Sequence, residues 1–89
     1  MPPPRDIDKE RVNFEKHGIH LSTAAAVLND DMSLTREDED SIGEQRFVTL
    51  GLDMLGRVLV VVWTYRGSGV RLISARKATR KEQEKYYEG

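Results

Sequence analysis

The side chains best suited to chemistry in this sequence are cationic, accompanied by histidine and tyrosine. Histidine is the side-chain type best suited to proton transfer near neutral pH, which makes His17 a candidate general base or acid. Arg71 and Arg76 carry forked guanidinium donors that match phosphate oxygens, and Tyr86 has a ring that can stack on a base. Such a set can cleave RNA without a metal: a base deprotonates the ribose 2′-OH, cations stabilise the phosphorane, and an acid protonates the leaving 5′-oxygen. Many small proteins contain these residue types, so their presence alone is weak evidence for RNA cleavage. The helices and strands that position them must also be considered.

The charges are distributed unevenly, although the net charge of the chain is only −1. Acidic residues outnumber basic ones between positions 29 and 46, whereas basic residues outnumber acidic ones between positions 57 and 89. A basic C-terminal third is typical of a face that binds anions such as nucleic acid. Exposed lysines and arginines are also common in proteins without this function, so a solvated surface is the alternative.

Composition excludes several classes of function. The 89 residues suffice for one small domain, so we predict a single domain over residues 1–89 without a large cofactor cleft. The chain has no cysteine, and Gly18 breaks the register between His17 and His20, so the sequence predicts neither a metal site nor a cofactor. The longest apolar run, residues 58–63, is far shorter than a membrane span of roughly 20 residues. No apolar core follows the N-terminal charge, which favours a soluble, cytoplasmic protein.

Two helices are predicted near the N-terminus, after a frayed segment over residues 1–5. Three prolines in that segment cannot start regular structure without earlier packing. Asp8 is predicted to cap the first helix, which ends where Gly18 takes a left-handed conformation. Ser22 is predicted to cap a second, short helix that reaches Leu28.

The rest of the chain predicts a sheet followed by a helix. Strands are expected over residues 46–50, 57–65 and 70–76, with a short additional strand over residues 32–36, and tight turns between the three longer strands predict an antiparallel sheet. In the last strand, alternation puts Leu72 and Ala75 on opposite faces. Thr79 and Glu82 form a capping box that starts a final helix. The predicted fold is α+β with two layers, an antiparallel sheet of three to four strands with two N-terminal helices and one C-terminal helix.

Three segments together carry a family resemblance. They are Lys9-x-x-x-Asn13-x-x-Lys16-His17-Gly18, then Glu44-x-Arg46-Phe47-x-Thr49-Leu50-Gly51, and finally Arg71-Leu72-Ile73-Ser74-Ala75-Arg76-Lys77-Ala78-Thr79 with Glu82 and Tyr86 beyond it. With these motifs the sequence resembles the BrnT family of toxins from bacterial type II toxin–antitoxin modules. In one departure, Arg5 stands before Asp6 where the family has a tryptophan that ends an aromatic-rich strand.

The resemblance implies a RelE-like fold and a ribonuclease that arrests translation. It also implies a BrnA-type antitoxin with a ribbon-helix-helix DNA-binding part, repression of the operon through operator DNA, and an assembly of two toxin and two antitoxin chains. Carried over by position, the catalytic candidates are His17, Arg71, Arg76, Arg80, Glu44 and Tyr86. The candidates for RNA binding are Lys9, Lys16, Arg46, Arg66 and Lys77.

Several of these roles have a structural alternative. His17 lies in the last turn of its helix, where the helix dipole favours a cation, so it is equally suited to a structural role. Glu44 is either a base or the partner of Arg46 or Arg66, and Tyr86 either stacks on a base or anchors its helix. Two other functions compete with the ribonuclease. One is a catalytically weak or inactive homologue that only joins the antitoxin as a co-repressor. The other is a DNA-binding regulator acting alone, which the acidic loop predicted over residues 37–43 disfavours because it interrupts a continuous basic face.

Overall fold

The computed structural model describes the backbone of residues 5–89 and the side chains from Asp8 onward. The segment predicted to be frayed, residues 1–5, lies outside that range except for Arg5, which begins the first helix. The elements in chain order are α1 (Arg5–His17), α2 (Leu21–Ala24), a 3₁₀ turn (Ala25–Asn29), β1 (Leu34–Glu37), β2 (Phe47–Leu52), β3 (Val58–Arg66), β4 (Gly69–Lys77) and α3 (Arg80–Glu88).

The helix ends follow local rules at some positions and tertiary contacts at others. Gly18 ends α1 with a positive φ of 70°, and Thr79 and Glu82 form the predicted capping box of α3. The predicted cap at Asp8 is wrong, because α1 already begins at Arg5. The predicted cap at Ser22 is also wrong, because the carboxylate of Glu10 in α1 accepts hydrogen bonds from the backbone N–H groups at the start of α2.

The four strands form one antiparallel sheet in the order β1-β2-β3-β4. The tight turns predicted this pairing for β2, β3 and β4, whereas β1 connects to β2 through the loop over residues 38–46. A bulge lies between β3 and β4, since Val62 pairs with Ser74 while Trp63 pairs with Leu72 and skips Ile73. The predicted alternation along β4 is therefore wrong beyond this point. The extra residue puts Leu72 and Ala75 in the same core cluster, rather than on opposite faces.

Helices cover both faces of the sheet, which corrects the predicted two-layer arrangement. On one face Leu59, Val61 and Trp63 of β3 pack with the segment that follows α1. On the other face Val58 and Val60 pack with α3 through its buried tyrosine. The reason is in β3 itself, which is apolar on both faces and needs cover on each.

Candidate functional site

An open groove between α1 and β4 brings together five of the predicted site residues. It consists of two adjoining hollows of about 440 and 420 Å³ that share Lys9 and Arg71 in their lining. Its cationic side chains and its histidine are Lys9, Lys16, His17, Arg66 and Arg71, and the carboxylates of Asp8 and Glu10 also line it. We call this surface the α1–β4 groove.

The spacing of the cations along α1 explains why they share one face. Lys16 and His17 follow Lys9 by seven and eight residues, which is about two helical turns, and Asn13 follows Lys9 by four. This stripe faces β4, where the bulge at Ile73 lets Arg71 and Ser74 line the same hollow. His17 is half-buried at the end of α1, and Arg71 is half-buried on its strand.

Asn13 fastens the two walls of the groove. Its amide Nδ2 donates to the carbonyls of Ile19 at 2.8 Å and Ala75 at 3.0 Å, and its Oδ1 accepts from the backbone N–H of Ala75 at 2.9 Å. β4 is an edge strand, so its outer backbone groups need partners other than a neighbouring strand. The Asn13 side chain satisfies that edge while remaining 4% exposed, and it fixes α1 against β4.

Arg76 and Glu82 lie outside the groove, in a bidentate ion pair between β4 and α3. The guanidinium donates to both carboxylate oxygens, at 2.8 and 2.9 Å. These bonds lower the pKa of Glu82 to about 2, against the opposing effect of burial. The same carboxylate accepts from the backbone N–H of Thr79 in the capping box. Arg76 thus fixes the start of α3.

Tyr86 anchors α3 to the chain between the 3₁₀ turn and β1. Its hydroxyl donates to Asp30 Oδ2 at 2.6 Å, and only 5% of the residue is exposed. The hydrogen bond to this carboxylate, with burial and the negative charge of Asp30, raises the pKa of Tyr86 to about 12. Asp30 Oδ2 also accepts from the backbone N–H of Leu52 in β2. This geometry favours the anchoring alternative over base stacking.

The remaining predicted site residues lie apart from the groove. Glu44 pairs with Arg46 at 3.3 Å on the segment before β2, which agrees with one of the two partners considered for it. Lys77 is exposed at the end of β4, and Arg80 is exposed at the first residue of α3. These four residues therefore line the periphery rather than the groove.

Sequence reasoning missed the residues that hold the site in shape. Asn13 is part of the first motif, but no role was predicted for it. Its helical spacing from Lys9 and Lys16 places it on the same face of α1, and this spacing is the signal that could have indicated a role in the site. Glu10 and Asp30 accept backbone hydrogen bonds from residues 11 and 22 positions further along the chain. No local pattern signals contacts at such separations.

Among the side chains from Asp8 onward, no three residues of the His, Cys, Asp and Glu types lie close enough together to hold a metal ion. None of the helices described is both long and apolar enough to span a membrane.

The fold and the groove together define a small α+β domain with a groove lined by cationic side chains and one histidine. The family model for the ribonuclease toxin, BrnT, of type II toxin–antitoxin systems matches residues 6–82, and the chain belongs to this family. The resemblance read from the three motifs is thereby confirmed, and every residue of the α1–β4 groove lies within the match. A type II toxin has an antitoxin as its partner. A search of curated proteins returned no match.

Proposed function

We propose that the chain is a metal-independent endoribonuclease that holds RNA in the α1–β4 groove and so inhibits translation. The observation that carries this proposal is the convergence of Lys9, Lys16, His17 and Arg71 on one hollow. Lysine and arginine side chains bind the phosphates of a nucleic acid backbone, and a histidine beside them can move a proton near neutral pH. We infer a RelE-like fold from the family.

The proposed reaction is transesterification within the RNA. His17 as general base takes the proton from the 2′-OH, the 2′-oxygen forms a bond to phosphorus, and the bond from phosphorus to the 5′-oxygen breaks. Arg71 stabilises the negative charge that develops on the phosphorane, and a proton from an acid completes the leaving 5′-hydroxyl. The products are a 2′,3′-cyclic phosphate end and a 5′-hydroxyl end. The opposite assignment, with His17 as the acid, gives the same products.

The two histidines of the chain provide a matched test of this role. His20 stacks on Phe14 at 4.1 Å and pairs with Glu10 rather than lining the groove. Replacing His17→Gln should lower the cleavage rate by about 10²–10⁴-fold, the usual contribution of general acid–base catalysis. It should also remove one limb of the pH–rate profile, whereas His20→Gln should leave that profile unchanged. Equal rates for His17→Gln and the wild type would contradict the assignment.

The remaining positions have supporting roles in this proposal. Lys9, Lys16 and Arg66 bind phosphates along the groove. Replacement of any one of them by alanine should make the RNA affinity less dependent on salt concentration. Arg76, Glu82 and Tyr86 hold α3 in place. Arg46, Lys77 and Arg80 add to the positive potential at the periphery, and Glu44 holds Arg46.

The partner proposed for this toxin is a BrnA-type antitoxin with a ribbon-helix-helix DNA-binding part, in an assembly of two toxin and two antitoxin chains that binds operator DNA. An acidic or amphipathic segment of the antitoxin would cover the groove and exclude RNA. The association rate should then fall with added salt over the range in which the Debye length shrinks from about 30 Å to about 8 Å. A rate independent of salt, with Arg71 still accessible in the complex, would contradict this form of inhibition.

A further inference from the structure

A separate hollow adjoins the α1–β4 groove, on the sheet face that carries Trp63. It is lined by Tyr65 and Val70 from paired positions of β3 and β4, with Trp63 and Thr49 behind them. Val70 lines this hollow and also the groove at Arg66, so the two surfaces are continuous. Tyr65 remains 64% exposed although its ring contacts two other rings.

Two neighbouring aromatic side chains hold the ring of Tyr65 in position. It meets Phe47 edge-on at 5.6 Å and Trp63 edge-on at 5.2 Å, while those two rings stack on each other at 4.8 Å. Trp63 Nε1 donates to the hydroxyl of Thr49 at 2.8 Å, and that hydroxyl is hydrogen-bonded to the hydroxyl of Thr35. The aromatic cluster is therefore anchored across three strands before any ligand arrives, so little side-chain entropy is lost on binding.

We propose that Tyr65 is a stacking position for one base of the bound RNA, beside the phosphates held by Arg66 and Arg71. This inference rests on the proposed function and adds a contact that selects single-stranded substrate. Every base has a π-face, and single-stranded nucleic acids bind where aromatic rings border a cationic track. Tyr65 follows that arrangement, because it directly precedes Arg66 and pairs across the sheet with the residue before Arg71.

The first experiment measures binding of a single-stranded 2′-O-methyl RNA, which lacks the nucleophile, by fluorescence anisotropy. Tyr65→Ala should weaken binding by about 5- to 150-fold, the range expected for loss of one stacked base at roughly 1–3 kcal/mol. Tyr65→Phe should bind as the wild type does, because the ring is retained. Tyr87→Ala is the matched control, since Tyr87 is 68% exposed but lies on α3 against Tyr86. Melting temperatures of all variants exclude loss of folding as the cause.

The second experiment separates stacking from phosphate binding. The salt dependence of binding should keep its slope in Tyr65→Ala, whereas Arg66→Ala should lower the slope by about one counterion. In a set of oligonucleotides with one abasic site each, one position should weaken binding to the wild type and leave binding to Tyr65→Ala unchanged.

The outcomes distinguish this inference from the function on which it rests. If the wild type binds and cleaves RNA while Tyr65→Ala binds within about twofold of it, the stacking position is refuted and the ribonuclease proposal stands. The same holds if no abasic position distinguishes the two proteins. If the wild type binds no RNA, both proposals fail.

Discussion

The substitution Asn13→Ala should destabilise the domain strongly, because it removes the hydrogen bonds that join α1 to β4. Two backbone carbonyls and one backbone N–H, belonging to the fully buried Ile19 and Ala75, lose their partner. Each orphaned buried group costs about 1–3 kcal/mol, so even the lower limit gives roughly 3 kcal/mol in total. A domain of this length has about 4–13 kcal/mol of stability, so the loss is a large fraction of the whole.

Urea unfolding followed by the fluorescence of Trp63, the single tryptophan of the sequence, measures this loss. The melting temperature should fall by roughly 12–24 °C, taking about 4–8 °C per kcal/mol for a domain of this size. Lys16→Ala on the same helix is the control and should change stability by less than about 0.5 kcal/mol, because Lys16 is exposed. A loss below about 1 kcal/mol for Asn13→Ala, or one no larger than the control's, would refute the fastening role.

Three further predictions concern the contacts around α3 and β2. Because Arg76 holds the pKa of Glu82 at about 2, below the ordinary 4.5, this pair stabilises the fold above about pH 4.5, and that contribution is lost as the pH falls towards 2. Arg76→Ala should remove this part of the acid sensitivity in urea unfolding, and parallel pH curves for the two proteins would count against the pair. Tyr86→Phe should cost about 1–2 kcal/mol at neutral pH. Because the pKa of Tyr86 is raised from 10 to about 12, the wild type should lose that contribution as the pH rises through this interval, and an unchanged alkaline limb in Tyr86→Phe would contradict the assignment. Gly51→Ala would place a Cβ about 3.0 Å from Val27 Cγ1 and 3.1 Å from Asp30 Oδ2, so it should cost about 1–3 kcal/mol in thermal unfolding, and full stability would show that the 3₁₀ turn can shift.

The features predicted correctly from the sequence are those that local rules determine. Gly18 ends α1 because glycine takes a positive φ at little cost, and Thr79 with Glu82 starts α3 because the box needs only a spacing of three residues. The antiparallel pairing of β2 with β3 and of β3 with β4 follows from the short turns between these strands. In each case the residues that interact are neighbours in the chain.

The features that the sequence did not predict depend on distant contacts. Glu10 replaces Ser22 as the cap of α2 because the turn after α1 brings the two helices together. The bulge at Ile73 changes which residues of β4 share a face. A prediction from strict alternation assumes that no residue is inserted, so it cannot anticipate this change.

The candidate site was predictable in part. The helical spacing of Lys9, Lys16 and His17 indicates a common face, but the approach of Arg71 depends on Asn13, which bonds to a residue 62 positions away. Arg76 and Tyr86 have side chains suited to catalysis, yet their partners Glu82 and Asp30 give them structural contacts.

The most direct test of the proposed ribonuclease is incubation of the purified chain with single-stranded RNA in excess EDTA, followed by analysis of the fragment ends. The proposal predicts that cleavage continues in EDTA, that the fragments carry 2′,3′-cyclic phosphate or 3′-phosphate and 5′-hydroxyl ends, and that a 2′-O-methyl substrate is not cut. Activity that is lost on chelation and restored by magnesium, or fragments with 5′-phosphate ends, would contradict attack by the ribose 2′-OH.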